Sequence, residues 1–393
     1  MSQQITDLIH HPYKPAQGFA APQPGIFKAS TIIFPNVAAM RSRDWRVKTA
    51  YSYGLHGTPT TFTLEARIAA LEGGNDCLLA PSGLAAIALV NMALLRTGDK
   101  MLIPSNVYGP NKALAEAELA RWGIECALYD PMNLADLADK LDAKVRLVWL
   151  EAPGSVTMEF PDLAGMIRLC RERGVMTALD NTWGAGLAFN AFDVAGESVD
   201  ISAQALTKYP SGGGDVLMGS VVTRDHALHI RLKGTHMRMG LGVAANDCEA
   251  VLRSLPSIAL RYDAHDAASR QLAQWLGQRE EISAVLHPAV AGAPGHEHWK
   301  AHCPGGRAAG LFSVVFQDRF AVEQVDRFCD SLKLFKLGFS WGGPVSLVMP
   351  YDIPSMRGSQ WPHRGMLVRF SIGLEAAADL QDDLSQALAS LQK

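Results

Sequence analysis

The apolar positions of this chain repeat with two alternating periods, one helical and one strand-like. Leu64, Ile68 and Leu71 share one helical face, which predicts a helix over Phe62–Glu72 closed by Gly73-Gly74. A short apolar run then predicts a strand at Cys77–Ala80, and a second helix follows over Leu84–Leu95, stopped by Thr97-Gly98-Asp99. The alternation continues as strand Met101–Pro104, helix Asn111–Trp122 and strand Glu125–Tyr129. Strand Val145–Glu151, helix Leu163–Arg173 and strand Val175–Asp180 complete it, with a further apolar run at Val199–Leu206. Strands alternating with helices read as an α/β fold around a large, mostly parallel sheet.

From about Leu255 the pattern changes. A helix over Ile258–Arg279 is followed by strands near Val285, at Leu311–Phe316 and at Leu367–Ile372, and by a closing helix over Ala377–Leu391. This reads as a smaller C-terminal α+β domain. The first 57 residues are weakly periodic and rich in Pro, Gly and Gln. Three regions result: an arm over 1–57, either loosely ordered or wrapped on a neighbouring subunit, a large domain over 58–254 and a small domain over 255–393.

Composition narrows the partners. Of the 393 residues, 48% are hydrophobic and 19% charged, enough for a well-buried core. A formal net charge of −3 gives no reason to expect nucleic acid or an anionic membrane as partner. No apolar run approaches the roughly 20 residues of a spanning helix. The polar N-terminus lacks an apolar signal core, and the six cysteines are scattered without a C-x-x-C pair. A cytoplasmic protein with reduced thiols is expected. His296, His298 and His302 lack a clear fourth ligand, so no metal is expected.

Open parallel sheets bind ligands at the carboxyl ends of their strands, and the chemically suggestive residues fall there. Ser82-Gly83 stands between a strand and the helix that starts at Leu84, where backbone N–H groups and the helix dipole suit a phosphate. Tyr108, Glu151 and Asp180 follow later strands, and Lys208 follows the run Val199–Leu206, just before Gly212-Gly213-Gly214. A partly desolvated lysine is nucleophilic near neutral pH, and an acid can hold a ring nitrogen protonated. The residues alone leave other readings open. Lys208 also suits a surface loop, Asp180 a helix N-cap, Tyr108 core filling and Arg369 a structural ion pair.

The chain resembles the pyridoxal 5'-phosphate (PLP) dependent enzymes of cysteine and methionine metabolism, the trans-sulfuration enzymes, from about Tyr53 to Leu391. The resemblance lies in Tyr53-Gly54-Leu55-His56-Gly57-Thr58, Pro81-Ser82-Gly83, Glu151-Ala152-Pro153-Gly154-Ser155 and Asp180-Asn181-Thr182-Trp183. It continues in Ala205-Leu206-Thr207-Lys208-Tyr209, Gly295-His296-Glu297-His298-Trp299-Lys300, Ser340-Trp341-Gly342-Gly343, and Arg369 with Gly373-Leu374-Glu375. Gly154-Ser155 and the Trp341 after Ser340 resemble the cystathionine β-lyase branch.

That resemblance implies a fold type I PLP-dependent transferase-like architecture and a carbon–sulfur β-lyase. Its substrate would be L-cystathionine or a related cysteine S-conjugate, and its products a thiol, pyruvate and ammonia. A γ-lyase or γ-synthase on sulfur amino acids, or a non-catalytic PLP-binding homologue, are the alternatives. Lys208 would carry PLP and move the Cα proton, and Asp180 would pair with the ring nitrogen. Tyr108 would stack on the ring, while Ser82, Gly83, Leu84 and Thr207 would bind the phosphate. Arg369 would grip the substrate carboxylate in a pocket shaped by Ser340, Trp341 and Tyr108. Tyr53 would act on PLP and substrate from a neighbouring subunit in a homotetramer made of two active dimers.

Three positions depart from the family pattern. Leu55 stands where many relatives carry a phosphate-binding arginine. Phe339 stands where β-lyases often have tyrosine, and Pro344-Val345 where many relatives have an acid. The first bears on cofactor grip and the other two on the leaving thiol.

Overall fold

The computed structural model describes residues 2–11, 17–47, 50–353, 356 and 361–392. Its larger sheet has seven strands: β1 (Asp76–Ala80), β2 (Lys100–Pro104), β3 (Glu125–Tyr129), β4 (Val145–Glu151), β5 (Met176–Asp180), β6 (Ile201–Ala205) and β7 (Gly219–Thr223). Their spatial order is β1-β7-β6-β5-β4-β2-β3. Every neighbouring pair from β3 to β6 is parallel, and β7 alone runs against both its neighbours. The carboxyl ends of β1, β2, β4, β5 and β6 therefore share one edge. The mostly parallel α/β sheet expected from the sequence is present.

The second sheet comes from the C-terminal third: β8 (Ile282–Leu286), β9 (Leu311–Phe316), β10 (Lys336–Leu337), β11 (Leu347–Tyr351) and β12 (Leu367–Ser371), in the order β10-β11-β12-β9-β8. Only β10 and β11 are parallel neighbours. Phe312, Phe316, Phe328, Phe335 and Phe370 are fully buried in the core between this sheet and its helices. The main core runs continuously from Leu64 and Leu179 of the large sheet's side to Leu311, Val315 and Leu367 of the second. That continuity fixes the two sheets against each other, and the candidate site lies where they meet.

Local chemistry sets the elements that frame the site. The helix Pro59–Glu72 begins three residues before the expected start, because Thr58 and Thr61 form a reciprocal capping box and Pro59 takes the first turn. It ends at Gly73, whose φ of +80 is the left-handed conformation a helix C-cap requires. The helix Gly83–Leu94 is capped by Ser82, whose Oγ accepts from Ala85 N–H at 3.0 Å. The helix expected over Asn111–Trp122 starts earlier, at Gly109, and passes through a π-helical turn over Ala115–Leu119. Pro110 in its first turn explains the early start.

The N-terminal region is not featureless. A helix over Ser2–Ile9 buries Leu8 in the main core, and Gln4 Nε2 donates to the carbonyls of Leu71 and Gly186 at 2.8 and 2.9 Å. Among the described residues no helix is long and apolar enough to cross a membrane.

Candidate active site

A cavity of about 560 Å³ opens at the carboxyl edge of the large sheet, roofed by residues from the second. Ser82, Gly83 and Leu84 line it at the turn after β1, and Tyr108 at the turn after β2. Glu151 ends β4, Asp180 ends β5, and Thr207 and Lys208 follow β6. Ser340, Trp341 and Arg369 come from the other side. Ten of the eleven site residues read from the sequence meet here.

Tyr53 is the exception. It lies outside the cavity lining, 44% exposed, with its hydroxyl 3.3 Å from Ser30 Oγ and its ring edge-on to His56.

Lys208 is held from two directions. Its Nζ donates to Ser340 Oγ at 2.8 Å and stands 5.3 Å from the centre of the Trp341 ring. Burial disfavours its ammonium form, and the nearby charge of Arg369 adds to this, while Asp180 opposes it. The net effect lowers the amine to about 8. Such an amine is substantially neutral in mildly alkaline water, as a nucleophile or a proton acceptor must be.

Asp180 shows the opposite balance. Burial raises its pKa, while the Thr182 hydroxyl, the Thr182 N–H and the charge of Lys208 pull it down. Its Oδ1 accepts from Thr182 N at 3.0 Å and from Thr182 Oγ1 at 2.5 Å. Thr182 Oγ1 in turn accepts from Ala205 N at 2.9 Å, tying the ends of β5 and β6. Beside it in the sheet register stands Glu151, pushed up to about 8 by burial and then by the charge of Asp180. Glu151 accepts the backbone N–H of Tyr108 at 2.8 Å and so seats that ring at the cavity wall.

Arg369, on β12, is 7% exposed. One amino group donates to the Phe339 carbonyl at 2.6 Å, and the guanidinium lies 5.3 Å from the centre of the Tyr351 ring. Burial lowers its pKa, and Tyr351 counters that. Its Nε is buried without a hydrogen-bond partner. An unmet donor on a buried planar cation suits a carboxylate ligand.

These residues fit PLP. The N–H groups of Gly83 and Leu84 have no partner among the described residues and open a helix of 12 residues, which suits a phosphate dianion. Gly83 packs so tightly on β6 that a Cβ there would fall 2.7 Å from Ala205 Cβ, which brings this cradle beside the lysine-bearing loop. Thr207 lines the same wall, with its Oγ1 accepting from Met218 N at 3.1 Å. Asp180 lines the cavity with its Oδ1 braced by Thr182, which suits a protonated ring nitrogen as its partner.

Sequence reasoning assigned no part to Thr182, Tyr351 or Glu72. Thr182 could have been found, since an acid followed two residues later by Thr is an Asx-type turn. Tyr351 and Glu72 act through partners distant in sequence and carry no local signal.

The Cys/Met metabolism PLP-dependent enzyme family model matches residues 5–389. A putative cystathionine beta-lyase of Rhizobium johnstonii is 35% identical, over 98% of this chain and 96% of its own length. The cystathionine beta-lyase of Bordetella avium is also 35% identical, over 98% of both chains. Among solved structures, the cystathionine gamma synthase of Xanthomonas oryzae pv. oryzae, in complex with aminoacrylate and cysteine, superposes with a TM-score of 0.89 at 27% identity. That match covers 99% of this chain and 98% of that one. The chain belongs to the Cys/Met metabolism PLP-dependent enzyme family.

Proposed function

We propose that the protein is a carbon–sulfur β-lyase that cleaves L-cystathionine, or a related cysteine S-conjugate, to a thiol, pyruvate and ammonia. The observation that carries this reading is the amine of Lys208, held by Ser340 in a cavity that also presents Asp180 and Arg369. The names of the two curated relatives support the β-lyase chemistry.

Bound PLP supplies an electron sink for the electrons of a broken Cα–H bond. The chain's own residues supply the rest. Arg369 grips the substrate carboxylate with its planar fork and so aims the Cα–H bond. Lys208, whose neutral form burial favours, accepts the Cα proton at Nζ and later returns a proton to the departing sulfur. Ser340 orients Nζ between these tasks. Asp180 keeps its charge on the ring nitrogen, braced by Thr182. Tyr108 and Trp341 cover the reacting centre and exclude water. Gly83, Leu84 and Thr207, with Ser82 capping the helix, hold the phosphate.

Loss of the thiol from Cβ, followed by hydrolysis that consumes one water and releases ammonia, leaves pyruvate. Incubating the purified protein with L-cystathionine and identifying the keto acid tests this directly. Pyruvate is expected; 2-oxobutyrate would mean γ-elimination, and neither acid from any thioether amino acid would remove the enzyme readings.

Tyr53 serves the cavity of a neighbouring copy of the chain. Its exposure and its separation from its own chain's cavity support this. Mixing a Tyr53→Phe preparation with a Lys208→Ala preparation should restore activity that neither shows alone, because one site of a mixed dimer is then intact. No recovery, with subunit exchange demonstrated, would place Tyr53 outside the reaction.

A further inference from the structure

Glu72 is a carboxylate that the chemistry above does not use. It is the last residue of the helix Pro59–Glu72 and is 1% exposed. A helix C-terminus is an unfavourable place for a negative charge, and burial makes it worse. Three donors converge on it nevertheless. Its Oε2 accepts from Asn181 Nδ2 at 3.0 Å and from Ser202 Oγ at 2.6 Å, and its Oε1 accepts from Gln204 Nε2.

These donors belong to the two strands that bear on the cofactor. Asn181 follows Asp180, while Ser202 and Gln204 lie on β6, with Gln204 lining the cavity four residues before Lys208. The β5–β6 ladder has only three residue pairs and ends at Asp180↔Ala203. Past it, among the described residues, the strands are linked only by Asn181 N to the Ala203 carbonyl at 2.8 Å and Ala205 N to Thr182 Oγ1 at 2.9 Å, and the side chains held by Glu72 reinforce this end of the ladder. The arrangement is specific enough to leave two carbonyl groups unmet: Asn181 Oδ1 and Gln204 Oε1 are buried without hydrogen-bond partners, because both amide nitrogens are turned to Glu72.

We propose that Glu72 is a positioning residue that sets the spacing between Asp180 and Lys208 by gripping Asn181, Ser202 and Gln204 at and around the end of the short β5–β6 ladder. The proposal rests on the reading that Asp180 and Lys208 hold PLP. A glutamine at position 72 should preserve the grip, because the Gln204 amide can turn over and present its unmet Oε1 to the new amide. A leucine cannot.

The test uses holoenzyme of wild type, Glu72→Gln, Glu72→Leu and Ser202→Ala. PLP loss during dialysis and the pH titration of the visible absorption band are followed beside kcat and KM. Glu72→Leu should lose PLP about tenfold faster, shift the titration of the band and lower kcat more than KM, as removing charge-assisted hydrogen bonds from a buried site would. Glu72→Gln should stay within about threefold of wild type, and Ser202→Ala should move every readout in the direction of Glu72→Leu.

Leu64→Ala, a core truncation in the same helix, should lower the melting temperature without shifting the band, which separates positioning from general destabilisation. A wild-type band and PLP retention in Glu72→Leu would overturn the proposal. If Glu72→Leu fails to fold, the same result in Ser202→Ala would do so. PLP retention unchanged in both Lys208→Ala and Asp180→Asn would remove the cofactor assignment itself, and the proposal with it.

Discussion

Lys208 Nζ and Ser340 Oγ are 132 residues apart in sequence and 2.8 Å apart in space. This hydrogen bond crosses from the large sheet's edge to the loop before β11, so the second sheet aims the amine that the first supplies. Ser340→Ala removes the acceptor and leaves Lys208 Nζ with the Trp341 ring alone beside it. The expected result is a fall in kcat of about three- to tenfold with the fold intact, as the loss of one hydrogen bond worth about 0.5–1.5 kcal/mol would give. Steady-state kinetics with a melting curve checks it; an unchanged kcat would show that Ser340 does not orient the amine.

The lowered pKa of Lys208 gives a pH signature with a defined sign. A lysine at about 8 is ammonium below that pH and neutral above it. Only the neutral amine attacks a carbonyl. The rate at which cofactor-free protein takes up PLP should therefore rise with pH and level off above about 8, well below the ordinary lysine value of about 10.4. Stopped-flow absorbance measures it. A rate still climbing at the ordinary value would mean that burial does not shift this amine.

Gly83 is needed for space. A Cβ at this position would meet Ala205 Cβ at 2.7 Å and Ala205 Cα at 3.2 Å. Gly83→Ala must push the start of the helix Gly83–Leu94 away from β6, which separates the phosphate cradle from the lysine. The expected outcome is overpacking of about 1–3 kcal/mol in stability, together with weaker PLP binding. Denaturant melts and a cofactor titration read the two effects separately, and wild-type PLP affinity would show that the cradle does not depend on this approach.

Leu55 packs close to Gly242, where a Cβ would fall 2.5 Å from Leu55 Cδ1. An apolar residue there contributes no charge to a phosphate. Leu55→Arg should slow PLP loss during extensive dialysis, since one charge-assisted hydrogen bond contributes about 1.5–3 kcal/mol. Equal retention in the two proteins would mean that phosphate binding does not depend on this position.

Much of this could be read from the chain. β3, β4 and β9 have the boundaries their apolar runs predicted, because each run is bounded by polar or turn residues. The strand-end rule located Ser82, Tyr108, Asp180 and Lys208 at one sheet edge. What stayed hidden has physical causes. The helix His226–Met239 buries His229, Lys233 and His236 beside Leu228 and Leu232, so polar residues interrupt its apolar spacing. β7 is a five-residue run with no alternation, since every residue in it is buried. Glu72 reads as the polar end of a helix; its partners lie 109, 130 and 132 residues away.

β7 also orders the assembly of the protein in time. It lies between β1 and β6 in the sheet, and Gly219 at its start lies so close beneath the Ser82 turn that a Cβ would fall 2.3 Å from the Ser82 carbonyl oxygen. Among the described residues β1 pairs with no other strand. During synthesis, Ser82 and Gly83 emerge early and Lys208 much later, and β1 becomes part of the same sheet as β6 only once β7, ending at Thr223, has emerged and paired between them. A nascent chain ending at Lys208 would carry the lysine and the N–H groups for the phosphate, yet it would lack the strand that joins β1 to β6.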